Sequence, residues 1–314
     1  MSTFTYISPP LHGLFISQSD NFRMRCDLHV HTKASGLINS PIIRHFCYES
    51  YNDAEAVYSR CKRLGMSIVT VTDHDSIDAA EVLRDRPDFF LSEEVTCTMP
   101  SGTELHLGVY GITERDHIEI QKRRNDFIAL LMYLTERKIF FSVNHVFSGL
   151  TGKRKAEDFE WFASYGLAFE TRNGQMCSRA NLEAERLAVS YGKVGIAGSD
   201  SHTLAGVALT YTEVPGARTV EEFFSGLRGH HGRIRGDHGS LAKITADVFR
   251  VTGAMLCEKP WALALLPLAV LLPAITVGHW TNEIRFCKKW SKLVNAGDSA
   301  PRRLWDLDAT LRRA

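Results

Sequence analysis

Several features that would assign this chain of 314 residues to a common class are missing from it. It has no GxxxxGKS/T, GxSxG or GxGxxG motif, which argues against a nucleotide-phosphate loop, an α/β-hydrolase nucleophile and a dinucleotide site. It also has no CxxC pair, no internal repeat and no pattern typical of a signal peptide. We therefore expect a cytoplasmic protein with seven reduced cysteines, at Cys26, Cys47, Cys61, Cys97, Cys177, Cys257 and Cys287.

The chain has no strong net charge either, but its N-terminal and C-terminal parts carry net charges of opposite sign. Residues 1–227 carry 29 acidic and 23 basic side chains, whereas residues 228–314 carry 7 acidic and 14 basic ones. The basic residues accompany an apolar segment instead of aromatic stacking platforms, so nucleic acid is not expected as a partner. The Gly/His/Arg-rich stretch 229–240 is predicted to be a linker between the two parts.

The sequence does contain histidines beside carboxylates in short motifs. His29/His31 and Asp200/His202 have i, i+2 spacing, and a strand-like run precedes each pair. On a strand this spacing puts both side chains on one face. Imidazole and carboxylate ligands suit Zn, Mn or Fe. A metal site is therefore predicted from the motifs DLHVHT (27–32), TDHD (72–75), ELHLGVY (104–110), NHV (144–146) and GSDSHT (198–203).

Strand-like and helix-like runs alternate along the chain, which predicts an α/β protein with a parallel sheet. Metal ligands at strand ends around a closed sheet are typical of a barrel's active-site mouth. The predicted helices cover 53–65, 117–138 and 178–192. The predicted strands cover 68–71, 88–91, 105–110, 139–143, 167–170 and 194–198.

In their order along residues 22–228, these motifs resemble those of the PHP (polymerase and histidinol phosphatase) family. The resemblance rests on DLHVHT, IVTVTDHDSI, SEEVT, LHLGVY, NHV, FETRNG and GSDSHT. It implies a distorted seven-stranded β/α (TIM-like) barrel that holds two or three divalent metal ions, Mn, Zn or Fe, at the C-terminal ends of its strands. It also implies a phosphoesterase in which a metal-bound hydroxide attacks a phosphomonoester or phosphodiester.

The resemblance assigns ligands to each metal. Asp200 would close the first site, Glu94 would bridge the first and second metals, and Glu93 is its rival if the alignment slips by one position. The catalytic residues it implies are Glu94 and Asp200. Arg172 is predicted as a third catalytic residue because the segment ETRNG directly follows a predicted strand. The metal ligands implied are His29, His31, His74, Glu94, His106, His145, Asp200 and His202.

A third metal site is incomplete by this comparison. His74 and His202 match its ligands, but the acid that many family members carry in the loop after the first motif is absent from HTKASGLINS. Glu49, His45 or water could fill that place, or the protein could hold two metals.

Other polar residues have supporting roles in this interpretation. Asp27 and Asp73 precede ligands and are predicted to accept hydrogen bonds that orient imidazoles, although direct ligation is the alternative. Glu170 could face the metals or end a strand. Cations in loops near the motifs could bind phosphate, with Arg172 favoured, followed by Lys33, Arg44 and Arg179.

The basic C-terminal part contains an uncharged run, 261–277, between Trp261 and Trp280. Its length is near the lower limit of about 17 to 25 residues for a membrane span. There are three alternatives for this run. It could span a membrane, form a hairpin with 241–256 that enters one leaflet, or be a helix buried against the barrel. Because basic residues surround the run, we expect 261–280 to contact the inner face of a membrane.

These observations predict an N-terminal arm (1–21), a PHP domain (22–228), a linker (229–240) and a C-terminal helical, apolar and basic extension (241–314). The expected function is hydrolysis of a phosphorylated small molecule or a lipid-linked phosphate. The alternatives are a metal-dependent hydrolase of a C–N or ester bond and a metal-holding, non-catalytic binding module tethered to a membrane. The sequence makes no prediction of the oligomeric state.

Overall fold

The computed structural model describes residues 22–36 and 47–296. The predicted N-terminal arm and Arg44 lie outside the described residues. The strands are β1 (Arg23–Cys26), β2 (Ser92–Thr98), β3 (Glu104–Tyr110), β4 (Phe140–Val143), β5 (Ala168–Asn173), β6 (Val194–Gly198), β7 (Thr210–Pro215) and β8 (Arg233–Gly236). The helices are α1 (Ala54–Arg63), α2 (Ala80–Leu83), α3 (Glu114–Arg123), α4 (Phe127–Glu136), α5 (Ala156–Tyr165), α6 (Ser178–Ser190), α7 (Val220–Arg228), α8 (Leu241–Glu258) and α9 (Leu272–Ala296), and 3₁₀ helices span Lys33–Ser35 and Pro260–Leu271.

The strands of the described chain form two sheets. The larger has the order β2-β3-β4-β5-β6, with antiparallel pairing from β2 to β4 and parallel pairing from β4 to β6. The smaller is antiparallel, with the order β1-β7-β8. Because α5 and α6 connect the parallel strands, the predicted α/β class is confirmed.

Short parallel bridges join segments outside these strands, at Val30–Ser201, Val69–Phe89 and His74–Glu94. The predicted strands at 68–71 and 88–91 meet at the second bridge and are not continuous strands of either sheet. The seven-stranded barrel therefore stays a prediction, and the structure itself describes sheets of five and three strands.

Alternation along β3 sends successive side chains to opposite faces. Leu105, Leu107 and Val109 enter the largest hydrophobic core, which the side chains of α4, α5 and α6 cover. His106 lies on the other face, in register with Thr96 of β2. The packing of one face of the sheet thus fixes the direction of a predicted metal ligand on the other.

The helix predicted over 117–138 is in fact two helices. α3 ends at Arg123, and α4 begins at Phe127 with Asp126 as its N-cap, whose side chain accepts the backbone N–H groups of Ile128 and Ala129. Aspartate is a strong N-cap, so a local capping preference outweighs the continuous helical pattern.

The C-terminal part packs on the rest of the chain. β8 lies within the stretch predicted as a linker and pairs with β7. On α9, Cys287 and Trp290 are buried in the largest core, and the Glu283 carboxylate accepts the backbone N–H of Gly149. Among residues 22–36 and 47–296, no helix combines the length and the hydropathy that crossing a membrane requires.

Candidate metal centre

Histidines and carboxylates from distant parts of the sequence converge in one region. Four groups could each hold a metal ion, with potential ligand atoms within 4.8 Å of one another. The groups contain all eight of the ligands that the resemblance implies. They are His29/His145/Asp200, His29/His31/Glu94, His31/Asp200/His202 and His74/Glu94/His106.

Glu94 lies between two sets of imidazoles and turns one carboxylate oxygen toward each. Its Oε2 is 3.1 Å from Nε2 of His29 and 3.4 Å from Nε2 of His31. Its Oε1 is 3.2 Å from Nε2 of His145 and 3.5 Å from Nδ1 of His106. This is the arrangement expected of a carboxylate that bridges two metal ions. Glu93 instead has its Oε2 2.8 Å from Nδ1 of His117.

Two of the ligand residues have a left-handed backbone conformation, which residues other than glycine rarely adopt. His145 has a φ of 27° and Asp200 a φ of 50°. The N–H of His145 donates to Glu170 at 2.9 Å, and that of Asp200 donates to the carbonyl of His29 at 2.7 Å. Such strain persists where the surroundings enforce it, and it is typical of functional sites.

Glu170 and Asn173 on β5 orient the ligands. Oε1 of Glu170 is 2.8 Å from Nδ1 of His29. Nδ2 of Asn173 donates to both Glu170 and Asp200, each at 2.9 Å. Two residues three apart face the same site because a register shift between Glu170 and Arg172 interrupts the alternation of β5.

Asp27 and Asp73 hold the ligand loops. Asp27 accepts the backbone N–H groups of His29 (3.3 Å) and Ser199 (2.8 Å), and so ties the first motif to the last. Asp73 accepts the hydroxyl of Ser35 at 3.0 Å, and that hydroxyl is 2.8 Å from Nδ1 of His31. Asp73 therefore orients an imidazole through Ser35, whereas Asp27 acts on the backbone.

Burial and charge act against each other on the titrating groups of the centre. Burial disfavours the charged form of His31, but the carboxylates of Asp200 and Glu94 outweigh it and raise its pKa to about 10. Burial would likewise raise the pKa of Glu94, yet the imidazoles around it, His29 foremost, hold that pKa well below its ordinary value. The centre concentrates negative charge that needs compensating cations.

The donor atoms fit divalent metals. Nε2 of His29 and Nε2 of His31 are 3.0 Å apart, while Nδ1 of each ring faces an acceptor, Glu170 and Ser35 respectively. A neutral ring that donates from Nδ1 keeps a lone pair on Nε2, so a cation between the two nitrogens would relieve their repulsion. Donors about 2.1 Å from one metal lie about 3.0 to 3.4 Å apart. The Nε2 atoms of these two rings lie 3.3 to 3.5 Å from Oδ1 of Asp200.

The predicted phosphate-binding cations make other contacts. Arg172 lies within β5, and its guanidinium donates to the carbonyl of Gly236 at 3.2 Å. Lys33 pairs with Glu258 at 2.7 Å, and Arg179 is exposed in the first turn of α6. Their roles in substrate binding stay predictions.

Some residues around the centre were not singled out by the sequence analysis. Asn144 donates to Oε1 of Glu94 at 2.9 Å. Asp247 of α8 is buried and accepts the hydroxyl of Thr203, next to His202, at 2.7 Å. Asn144 lies inside the NHV motif, so its position was a usable signal, whereas Asp247 belongs to no motif.

Comparisons with known proteins give one family match, over a short part of the chain, and one similar fold. A family model described as PHP-associated matches residues 178–230, from α6 to the turn after α7. No curated protein sequence matches the chain. Among solved structures, the chain is similar to PsfC from Pseudomonas syringae PB-5123, with a TM-score of 0.53 and 14% sequence identity, over 74% of this chain and 98% of that chain. That similarity shows a shared fold.

Two further structures overlap with this chain at a TM-score of 0.40, too low to indicate more. One is a candidate metal-dependent phosphoesterase from Bifidobacterium adolescentis, with 12% identity over 57% of this chain and 87% of that chain. The other is an amidohydrolase from Chromobacterium violaceum with bound sulfate and no metal, with 14% identity over 56% of this chain and 87% of that chain.

Proposed function

We propose that this chain is a metal-dependent phosphoesterase of the PHP type that hydrolyses a phosphomonoester or phosphodiester, and the match of residues 178–230 to a PHP-associated family model supports the proposal. The position of Glu94 carries the proposal. One of its oxygens faces His29 and His31, and the other faces His106 and His145. A centre built for two neighbouring divalent ions suits phosphoryl transfer, since two charges can be neutralised on one phosphate.

The residues of the centre would have two roles in this reaction, to bind the metal ions and to orient the ligands. Divalent ions bound here would activate water and stabilise charge on phosphoryl oxygens. His29, His31 and Asp200 would hold one ion, and His106 and His145 the other. Burial of the ligands keeps their geometry fixed, and Glu170 and Asn173 keep His29 and Asp200 oriented.

Phosphate release from a panel of phosphomonoesters and phosphodiesters tests the proposal. The full chain is assayed with added Mn²⁺ or Zn²⁺, beside His145→Ala and the control His231→Ala, an exposed histidine outside the centre. We expect release that depends on metal, survives in the control and is lost in His145→Ala. Cleavage of amides or carboxylic esters instead would support the alternative hydrolase. Inertness of the metal-loaded protein toward all these substrates would support a binding module.

We also propose that the C-terminal part contacts an anionic lipid bilayer, which would bring a lipid-linked phosphate within reach. The support is an apolar patch, defined as the exposed residues Trp261, Leu263, Leu266, Leu268, Val270, Leu271, Ile275 and Val277. Val270 is 78% exposed. Exposed basic residues follow on α9, at Arg285, Lys288, Lys289 and Lys292. Apolar side chains beside cations suit a monolayer of anionic lipid.

Sedimentation with vesicles of phosphatidylserine and phosphatidylcholine tests the bilayer proposal. Leu268→Asp/Val270→Asp should leave the full chain in the supernatant, whereas the control Val189→Asp, at a residue of α6 that is 76% exposed, should still sediment. A wild-type protein that does not sediment, or a patch variant that sediments equally well, would refute it. Self-association lost in the patch variant without vesicle binding would instead identify a second copy as the partner.

A further inference from the structure

Helix α8 directs two side chains of opposite charge toward segments that carry metal ligands. Lys243 and Asp247 are four residues apart and therefore lie on the same face of the helix. Burial lowers the pKa of Lys243, and nearby carboxylates oppose this effect. These carboxylates include Asp247, Asp27 and Asp200. The C-terminal part thus places an ammonium group close to the acids of the centre.

Lys243 holds the turn that follows β5. Its Nζ donates to the carbonyl of Gly174 at 2.6 Å, and the N–H of Gly174 donates to the carbonyl of Gly198 at the end of β6. A Cβ at Gly174 would lie 3.1 Å from Nζ of Lys243, so glycine permits this close approach. Gly174 directly follows Asn173, whose side-chain amide donates to Asp200. A contact with Lys243 therefore acts next to a residue that orients a ligand.

The same face of α8 also contacts the loop that follows β6. Oδ1 of Asp247 accepts the hydroxyl of Thr203 in this loop at 2.7 Å, and Oδ2 accepts the amide of Gln175 in the turn after β5 at 3.1 Å. The stem of Lys243 lies beside Gly206, where a Cβ would be 3.8 Å from Cε of the lysine. Each of the two charged side chains thus touches both the turn after β5 and the loop after β6.

This turn and this loop meet at one hydrogen bond of the centre. Nδ2 of Asn173 donates to Oδ2 of Asp200 at 2.9 Å, while Oδ1 of Asp200 faces Nε2 of His29 and of His31. β5 and β6 are parallel, so their carboxyl ends lie side by side. Asn181 of α6 holds the backbone of Asn173 itself, whereas α8 joins that segment to the loop of Asp200.

We propose that Lys243, together with Asp247, is a positioning residue of the metal centre. It keeps Asn173 against Asp200, and so holds Oδ1 of Asp200 toward the ion that His29 and His31 would bind. The inference rests on the proposed function, since the centre that Lys243 serves must bind metal. It makes α8 a component of the centre, although this helix lies outside the part of the chain that carries the motifs.

Calorimetric titration of the metal-free full chain with Mn²⁺ tests the proposal. Lys243→Met removes the charge and the donor but keeps an unbranched side chain. We expect the affinity for one ion to fall about 10- to 100-fold and the affinity for the other to stay unchanged. His106→Gln, at a ligand of the other ion, identifies the binding step of that ion. Lys122→Met is the control, at an exposed lysine of α3, and should bind both ions as the wild type does.

The electron paramagnetic resonance spectrum of bound Mn²⁺ gives a second readout that a merely structural residue would not change selectively. With two equivalents of Mn²⁺, the wild type should show a spin-coupled pair, and Lys243→Met should show a larger share of uncoupled ions. Circular dichroism checks that each variant is folded. If Lys243→Met does not fold, Lys243→Gln keeps a polar group at this position with a shorter side chain, and the same selective loss is expected.

Two results would overturn the proposal. Wild-type affinities in Lys243→Met would mean that Asn181 is sufficient to position Asn173. An equal loss for both ions would make Lys243 a support of the whole fold. Phosphate release is measured in parallel. A wild type that binds two ions but releases no phosphate, while Lys243→Met still weakens the binding of one ion, would refute the phosphoesterase and leave the role of Lys243 standing.

Discussion

Glu170 contacts two predicted metal ligands at once. Its Oε1 is 2.8 Å from Nδ1 of His29, and its Oε2 accepts the backbone N–H of His145 at 2.9 Å. The first contact keeps the hydrogen of the His29 ring on Nδ1 and so leaves Nε2 available to a metal. The second holds the strained backbone of His145.

Replacing Glu170 with glutamine should weaken metal binding without removing a ligand. The amide can donate to Nδ1 of His29, which would move the ring hydrogen to Nε2 and block that donor. We expect a loss of about 10- to 100-fold in Mn²⁺ affinity, as is common for residues that orient ligands. Titration of the metal-free protein measures it, with the exposed Glu157→Gln as control. Equal affinities in the two variants would contradict the assigned role.

Metal binding should release protons. In the metal-free protein, neighbouring carboxylates outweigh burial and raise the pKa of His31 to about 10 and that of His106 to about 9, so both rings are protonated at pH 7. Burial lowers the pKa of His74 to about 4, and this ring has no proton to release. Histidine ligands must be neutral, so affinity should rise with pH up to about pH 10, by about tenfold per pH unit for each proton that binding releases at that pH.

Calorimetry in buffers with different ionisation enthalpies measures those protons. The observed heat of Mn²⁺ binding at neutral pH should vary with the buffer in the sense of proton release. A heat that does not depend on the buffer, with an affinity that is flat over pH 6 to 9, would contradict the charged state assigned to His31 and His106.

Most of the centre could be predicted from local spacing. His29/His31 and Asp200/His202 lie where strand-like runs end, and the structure brings both pairs together through the parallel bridge at Val30–Ser201. The sequence could not decide whether Glu170 faces the metals, because its orientation depends on a register shift within β5 that no residue pattern predicts. The same shift accompanies the placement of Arg172 inside the strand, where it contacts Gly236 and does not lie in a loop.

What depends on distant packing could not be predicted. Glu49 remained one of several options because its segment reaches His74 and His202 only through contacts between remote parts of the chain. The C-terminal part was predicted from composition alone, and nothing in its composition indicates that Asp247 contacts Thr203 beside His202. The composition of this part indicates an apolar and basic surface. A contact such as the one between Asp247 and Thr203 can be predicted only if the position of α8 against the rest of the fold is known.

Asp247 should stabilise the fold and the loop that carries Asp200 and His202. Asp247→Ala leaves the Thr203 hydroxyl and the Gln175 amide without their acceptor, which should lower the free energy of unfolding by about 1 to 3 kcal/mol. Urea denaturation measures this. Arg250→Ala removes only the exposed partner of the Asp247 ion pair and should cost less than about 1 kcal/mol. An equal loss in both variants would mean that the buried hydrogen bonds contribute little.

Gly198 is predicted to be essential for the position of His29. A Cβ at this residue would lie 2.3 Å from Cβ of His29, so Gly198→Ala must push the first motif away. We expect a loss of about 1 to 3 kcal/mol in the free energy of unfolding, together with weaker Mn²⁺ binding.

Gly253→Ala is the matched control for that variant. Gly253 lies within α8, and a Cβ there meets no atom within 4 Å, so the change should stabilise the protein by about 0.5 to 1 kcal/mol. Unchanged stability and Mn²⁺ affinity in Gly198→Ala would show that the contact with His29 does not constrain the centre.

The central claim is that Glu94 bridges two divalent ions, and anomalous diffraction from crystals grown with Mn²⁺ tests it most directly. The account predicts two peaks, one on the side of His29 and His31 and one on the side of His106 and His145, about 3.5 to 4 Å apart. A single peak, or none within ligand distance of Glu94 in a metal-saturated crystal, would contradict it.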